Sequence, residues 1–314
     1  MTQEGKGRPV VLIAGPTASG KSAVARAIAK AGNGIIVNAD AMQVYRELRI
    51  LTARPTPAEE SEAPHRLYGT VPASTAFSVG QWLAATTGEI GAAWTSGRIP
   101  ILVGGTGLYF RALERGLADV PPIPAAIRAR VRNMMKESGP GALHEALARL
   151  SPGEARRLSP ADGQRLARAL EVIEATGRPL GDWQAEGAPL PLDGASVLRL
   201  FLLPARGELT GRIDARFDEM IASGGLAEAR DLAALGLDPA LPAMKAIGVP
   251  ELIAACRGML SIDEAATIAK GATRQYAKRQ VTWARSNMIS WEWVKEKHLE
   301  RSEVLFFNFI RLKG

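Results

Sequence analysis

At 314 residues, with 46% hydrophobic and 23% charged side chains, the chain can bury a substantial core as one large domain or as a domain carrying a second one. A net charge of +7 favours an anionic partner such as nucleic acid, phosphate or a membrane surface, without choosing among them. The single cysteine, Cys256, excludes an internal disulfide framework and a cysteine-based zinc module.

Residues 1–8 are short and polar and lack the apolar region of a signal peptide, and no apolar run approaches membrane-spanning length, so a cytoplasmic protein is expected. Residues 9–14 read as a buried strand. They run into Gly15, Pro16, Thr17, Ala18, Ser19, Gly20, Lys21 and Ser22, a full G-x-x-x-x-G-K-S loop, and residues 23–29 continue as a helix. Strand, loop and helix together are the context that a phosphate-binding loop requires. Its glycines let the backbone wrap closely, its amides and the helix N-terminus face an anion, Lys21 reaches phosphate oxygens, and the Ser22 hydroxyl is placed to ligate Mg2+.

A second strand, 34–40, ends in Asp40, at the sheet edge where ligands of open α/β sheets collect. Three roles are open to that carboxylate: a Mg2+ partner, a general base, or the N-cap of a helix from Ala41. Residues 53–75, with four prolines, read as loop, and His65 within them as a surface residue. Helical spacing over 78–96 predicts a core-facing stripe that includes Trp82 and Trp94. A third strand, 99–103, leads into Gly104-Gly105-Thr106-Gly107, a second glycine turn at the same edge, with Thr106 as a hydrogen-bonding side chain in the site.

The composition changes at 120–124, a proline-rich hinge. Residues 125–178 are helical, with ten Arg or Lys against six Asp or Glu, and read either as a solvated face or as an anion-binding one. Residues 181–194 read as a return linker. A strand at 197–203 then resumes the sheet, and the following helix carries Arg212 and Arg216 four apart, facing a diphosphate or pairing with Asp214 or Glu219. Cys256 lies in the apolar stretch 252–256 and is expected to be a buried small residue. Residues 270–285 hold five basic residues and no acid, a helix suited to a phosphate backbone. Trp283, Trp291 and Trp293 read as core.

These blocks resemble the bacterial tRNA dimethylallyltransferases, the IPP transferase family. The resemblance runs through 15–22, Asn38-Ala39-Asp40-Ala41-Met42-Gln43-Val44-Tyr45-Arg46 and Gly104-Gly105-Thr106-Gly107-Leu108-Tyr109. It continues through residues 162–172, Ala246-Ile247-Gly248, and Thr273-Arg274-Gln275-Tyr276-Ala277-Lys278-Arg279-Gln280 with Thr282-Trp283. It implies a P-loop NTPase-like α/β fold, a parallel sheet flanked by helices, with a core at 1–119 and 191–314 and an all-helical insertion at 120–190 that clasps a tRNA anticodon stem-loop. The implied reaction moves a dimethylallyl group from its diphosphate to N6 of adenosine 37, just 3′ of the anticodon, in tRNAs reading codons that begin with U.

In that reading Asp40 is the base and Thr106 holds the adenine. Residues 15–22, assisted by Arg212 or Arg216 and by Mg2+ on Ser22, bind the diphosphate. Asp40, Ala41, Met42, Gln43, Thr106, Arg128, Gln164, Arg165, Arg168, Lys245, Gly248, Arg274, Lys278, Arg279, Gln280, Trp283 and Arg285 contact tRNA, and the protein is a monomer with no membrane partner. Two positions depart from the family pattern: Ala41 replaces a usual Ser, and Val249-Pro250 replace a usual Tyr followed by a basic residue or Gln, with Pro250 removing a backbone donor. The rival reading from the phosphate loop is a small-molecule kinase steering a γ-phosphoryl group.

Overall fold

The computed structural model describes residues 7–295 and 299–311. Six strands form one parallel sheet: β1 (Pro9–Ala14), β2 (Gly34–Asn38), β3 (His65–Arg66), β4 (Ile99–Gly104), β5 (Ser196–Leu203) and β6 (Glu292–Lys295), in the order β3-β2-β4-β1-β5-β6. Because side chains alternate along a strand, each central strand feeds two apolar layers. Val10, Leu12, Val37 and Leu102 pack with Trp82, Tyr109 and Phe110 on one face. Val11, Ile13, Ile36 and Ile101 pack with Val24 and Ile28 on the other. The register sets Ala14 opposite both Gly104 and Phe201, and Asn38 opposite Val103. The carboxyl ends of β1, β2, β4 and β5 therefore share one rim, and between β1 and β4 the chain order switches, which opens a crevice there.

The chain divides into two compact units, Arg115–Pro191 and the remainder. The remainder holds the sheet with α1 (Lys21–Ala31), α2 (Pro57–Glu62), α3 (Val79–Thr95), α4 (Gly107–Arg115) and, after the second unit, α9 (Arg206–Ala222), α10 (Gly225–Ala234), α11 (Val249–Cys256), α12 (Ile262–Asn287) and α13 (Leu299–Arg311). The second unit is helical: α5 (Ala125–Leu150), α6 (Pro152–Arg157), α7 (Gly163–Thr176) and α8 (Leu180–Ala185). Its core is Val131, Leu143, Leu147, Leu166, Leu170 and Ile173. Helix α5 breaks at Gly139, whose φ of 73° only glycine adopts cheaply, ahead of Pro140.

Four expectations are corrected. Residues 53–75 are not all loop: α2 starts on a reciprocal Thr56–Glu59 capping box with Pro57 in its first turn, and β3 follows. A six-residue helix that buries no side chain has no apolar period to reveal it. His65 is half-buried in β3, and its ring Nδ1–H donates a 2.8 Å hydrogen bond to the Ala63 carbonyl. The linker 181–194 begins within α8. Cys256 is exposed although it shares the helix face of the buried Val249, Leu252 and Ile253: α11 ends at it, and its thiol reaches only the Leu226 carbonyl of α10, at 3.8 Å. Pro250, by contrast, costs no hydrogen bond, since it occupies the first turn of α11, where backbone N–H groups have no intrahelical acceptor. No helix among the described residues is long and apolar enough to cross a membrane.

Candidate active site

The phosphate loop leaves β1 and enters α1 through Gly20, whose φ of 85° forms a left-handed N-cap. Gly15 is needed for space: a Cβ there would stand 2.7 Å from the Ser19 hydroxyl and 2.8 Å from the Leu202 carbonyl. That Ser19 hydroxyl is buried with no hydrogen-bond partner among the described residues. Lys21 folds back, its ammonium 3.3 Å from the Pro16 carbonyl. Burial lowers its pKa from 10.5 to about 8; the nearby Asp40 charge opposes this, and Arg216 adds to it. Lys21, Arg216 and Asp40 therefore share one electrostatic site.

Asp40 caps no helix. Its carboxylate accepts the Met42 N–H at 2.9 Å, and its own N–H donates to the Asn38 side chain at 2.8 Å. Asn38 is fully buried and also donates to the Asp40 and Leu67 carbonyls, so the strand end is fixed on both sides of the acid. Thr106 fastens the other flank: its hydroxyl accepts the Ala41 N–H at 2.9 Å and its own N–H donates to the Ala39 carbonyl. The glycines before and after it have steric reasons. A Cβ on Gly104 would meet the Ala39 carbonyl at 1.9 Å, on Gly105 the Gln280 amide at 2.2 Å, and on Gly107 the Trp283 ring at 2.3 Å. Beneath this layer Trp82 stacks on Tyr109 at 4.1 Å and donates to the Asn38 carbonyl.

Two cavities meet here. The larger, about 380 Å³, is lined by Thr17, Ala18, Asp40, Arg216 and Lys245 together with apolar Leu51, Ile213, Phe217 and Met220. The smaller, about 260 Å³, is mainly apolar and is walled by Gly15, Gly105, Phe110, Phe201, Trp283 and Met288. Thr106, Tyr276 and Arg279 line both. Tyr276 is enclosed, and burial followed by the Asp40 charge raises its phenol pKa, while hydrogen bonding to Thr106 and Gln280 acts in the other direction. Tyr68 and Tyr109 are raised by the same pair of causes, so the acid is ringed by neutral phenols.

Of Arg212 and Arg216 on α9, Arg216 lines the larger cavity, with its pKa lowered by burial against the pull of Glu59 and Asp40, and Arg212 lies exposed. Asp214 pairs with neither; it binds Arg274 at 2.5 Å, and Asp218 binds Lys270 at 2.6 Å. Arg274 is thus engaged by a carboxylate, and two of the five basic residues of α12 are paired. Gln43, also placed among the RNA contacts, gives its side-chain amide to the Thr52 and Ala53 carbonyls at 2.8 and 3.0 Å. The Gly248 N–H donates to Glu251 at 2.9 Å, and Gln280 is buried between two loops.

Ala41, Met42 and Lys245 line the larger cavity and Trp283 the smaller, while Lys278 and Arg285 are exposed on α12. In the second unit Arg128, Arg132 and Arg168 surround Glu171 across α5 and α7, Gln164 is exposed, and Arg165 pairs with Asp162 at 3.3 Å. The sequence reading missed the wall made by Leu51, Thr52 and Ala53, whose irregular backbone carries no periodic signal, and the part of Tyr276, legible only as an aromatic among cations.

The arrangement offers an anion cradle with two half-buried cations, a carboxylate at the junction of two cavities, and an aromatic slot. The profile of the IPP transferase family matches residues 43–287, and that of isopentenyl transferases matches 8–72. The chain is 52% identical over 305 residues to the tRNA dimethylallyltransferase of Rhodopseudomonas palustris (strain ATCC BAA-98 / CGA009), covering 96% of this chain and 95% of that one. It is also 52% identical, over 297 residues, to that of Nitrobacter hamburgensis, covering 95% and 94%.

Among solved structures, a tRNA isopentenylpyrophosphate transferase from Bacillus halodurans superposes with a TM-score of 0.70 at 31% identity over 98% of both chains. A eukaryotic dimethylallyltransferase acting on tRNA gives 0.80 at 26% identity, over 92% of this chain and 74% of that one. Shared sequence along almost the full length, on a fold that sets a phosphate loop beside an acid, means that this chain belongs to the IPP transferase family.

Proposed function

We propose that this chain transfers the dimethylallyl group of dimethylallyl diphosphate to N6 of adenosine 37 in tRNAs whose anticodons read codons beginning with U. The observation that carries the reading is the meeting of Asp40, Lys21 and Arg216 at one junction, a base beside two cations that suit a diphosphate. An exocyclic amine conjugated to a purine is a poor nucleophile, so the reaction needs a positioned proton acceptor and a stabilised leaving group together. As the N6–carbon bond forms and the carbon–oxygen bond of the diphosphate breaks, the N6 proton passes to the Asp40 carboxylate. The diphosphate leaving group is taken up by the amides at the N-terminus of α1, Lys21 and Arg216. Thr106 holds the acid's flank and the edge of the adenine.

The larger cavity suits the donor, its polar end at the loop and its apolar wall of Leu51, Ile213, Phe217 and Met220 against the prenyl group. The flat, aromatic smaller cavity suits a purine swung out of the anticodon loop, with Trp283 beside it. The donor set fits Mg2+. The Ser22 hydroxyl is a hard oxygen donor that would hold the ion, and no group of three or more acidic, His or Cys side chains among the described residues would cage it, so diphosphate oxygens and water would supply the remaining ligands. When bound, it neutralises charge on the leaving group. The exposed cations of α12 and the Arg128–Arg132–Arg168 group are read as contacts to the anticodon stem-loop. We take the enzyme to act as a monomer in the cytoplasm.

The test is mass analysis of nucleosides from unmodified tRNA incubated with the protein, Mg2+ and dimethylallyl diphosphate. The expected result is a dimethylallyl gain on adenosine that Asp40→Ala abolishes while tRNA binding persists. ATP consumption with no prenylated nucleoside would support a kinase instead.

A further inference from the structure

Gln280 sits on α12 among three exposed residues of its own helix, Lys278 and Arg279 before it and Thr282 after it, yet it is only 9% exposed. Its side-chain oxygen accepts the Thr17 N–H at 3.0 Å and its side-chain nitrogen donates to the Gly105 carbonyl at 2.9 Å. A peptide N–H can only donate and a carbonyl can only accept, so the amide has one orientation that satisfies both, and neither a carboxylate nor a hydrocarbon can replace it. The two partners are far apart in sequence but adjacent in function: Thr17 belongs to the phosphate loop, and Gly105 precedes Thr106, which fastens the backbone next to Asp40. The absence of a Cβ at Gly105 is what admits the amide. The point where that atom would sit is 2.2 Å from the Gln280 nitrogen and 3.5 Å from an Asp40 carboxylate oxygen.

We infer that Gln280 is a positioning residue that fixes the separation between the phosphate loop and the Asp40–Thr106 wall, so that the leaving-group site and the base are held in register. This rests on the transfer reaction proposed above. It differs from the RNA contact that the family pattern suggests for this position, because the side chain is buried and both its polar ends are occupied by backbone. Misplacement of reacting groups by about 1 Å costs about 10²-fold in rate, so the defect belongs in kcat rather than in substrate affinity.

The decisive comparison uses Gln280→Met, which keeps length and approximate volume but makes neither hydrogen bond. Turnover is expected to fall about 10²-fold, with KM for tRNA and the salt dependence of tRNA binding within about twofold of the parent. A raised KM for tRNA with unchanged kcat would overturn the inference in favour of a direct RNA contact. Should the methionine variant fold poorly, Gln280→Glu keeps the acceptor for Thr17 and loses the donor for Gly105, and the same kcat loss is expected. Gly105→Ala pushes on the same amide, so combining it with Gln280→Met should cost little beyond either alone; additive losses would separate the two residues and sink the tie. Hydrogen exchange at the Thr17 amide reads the tie without any turnover. Protection lost in Gln280→Met supports it, and protection retained overturns it, even if the parent protein were found to make no prenylated adenosine.

Discussion

Asp40 and Lys21 carry opposite demands on the same few ångströms. The carboxylate must accept a proton, and the ammonium must keep one while losing most of its hydration. Asp40→Asn preserves the shape and the hydrogen bond from Met42 but removes the basic oxygen, so kcat should fall about 10²–10⁴-fold while KM for tRNA changes little, as steady-state kinetics would show. Lys21, with its pKa lowered to about 8 chiefly by burial, predicts a pH effect with a definite sign. Below about 8 the ammonium is charged and binds the diphosphate; above it, affinity for dimethylallyl diphosphate should weaken up to about tenfold per pH unit, a limb that Lys21→Met removes. The free protein shows the converse in stability. From about 8 up to 10.5 the unfolded chain holds a proton that the folded chain lacks, so in this window Lys21 makes the fold more stable as pH rises. A donor affinity independent of pH between 7 and 9.5 would show that Lys21 is not the cation that holds the diphosphate.

At the scale of elements, the site depends on segments that have no regular structure of their own. The chain between β2 and α2 reaches the cavity at Leu51, Thr52 and Ala53 and is held there by side chains from elsewhere. Glu228 of α10 accepts the N–H groups of Arg49, Ile50 and Leu51 at 2.8, 2.8 and 2.9 Å, and Gln43 binds the carbonyls of Thr52 and Ala53. Hydrogen bonds to a charged acceptor are the stronger kind, so Glu228→Ala should cost about 2–3 kcal/mol, read by urea unfolding. It should also speed amide exchange at 49–51; unchanged exchange there would mean that the loop holds itself.

This is also where sequence legibility ends. The strands at 9–14, 34–38, 99–104 and 196–203 announce themselves as apolar runs, and the phosphate loop by its spacing, because each is a local pattern. The clamp from Glu228, the tie from Gln280 and the diversion of Arg274 to Asp214 join residues 60 to 263 positions apart, and nothing local marks them. Cys256 failed for a related reason: composition gave its apolar neighbours, and only the place where α11 and its packing end left it exposed.

For the whole molecule, net charge is a poor guide to where a polyanion binds. The unit Arg115–Pro191 contains eleven Lys or Arg against nine Asp or Glu, so it contributes little of the total of +7. What counts is which cations are already answered. In that unit Arg130, Arg157, Arg165 and Arg178 each pair with a carboxylate, whereas no carboxylate lies within ion-pairing distance of Arg128 or Arg132 among the described residues. In the larger unit the same division splits one helix: Lys270 and Arg274 are paired with α9, and Lys278, Arg279 and Arg285 are exposed farther along α12.

Each phosphate contact releases counterions and steepens the fall of affinity with salt, so replacing a contacting cation by Ala should reduce the slope of log K against log salt by about one. That reduction is expected for Arg128, Arg132, Lys278 and Arg285. Replacing Lys270 should leave the slope nearly unchanged, because it removes a charge that Asp218 already balances, and should instead free an acidic side chain that weakens binding slightly at every salt concentration. Titrations of tRNA at four or five salt concentrations would distinguish the two groups. A slope reduced by Lys270→Ala as much as by Lys278→Ala would show that the ion pairs to α9 open on binding and that the whole length of α12 faces the RNA.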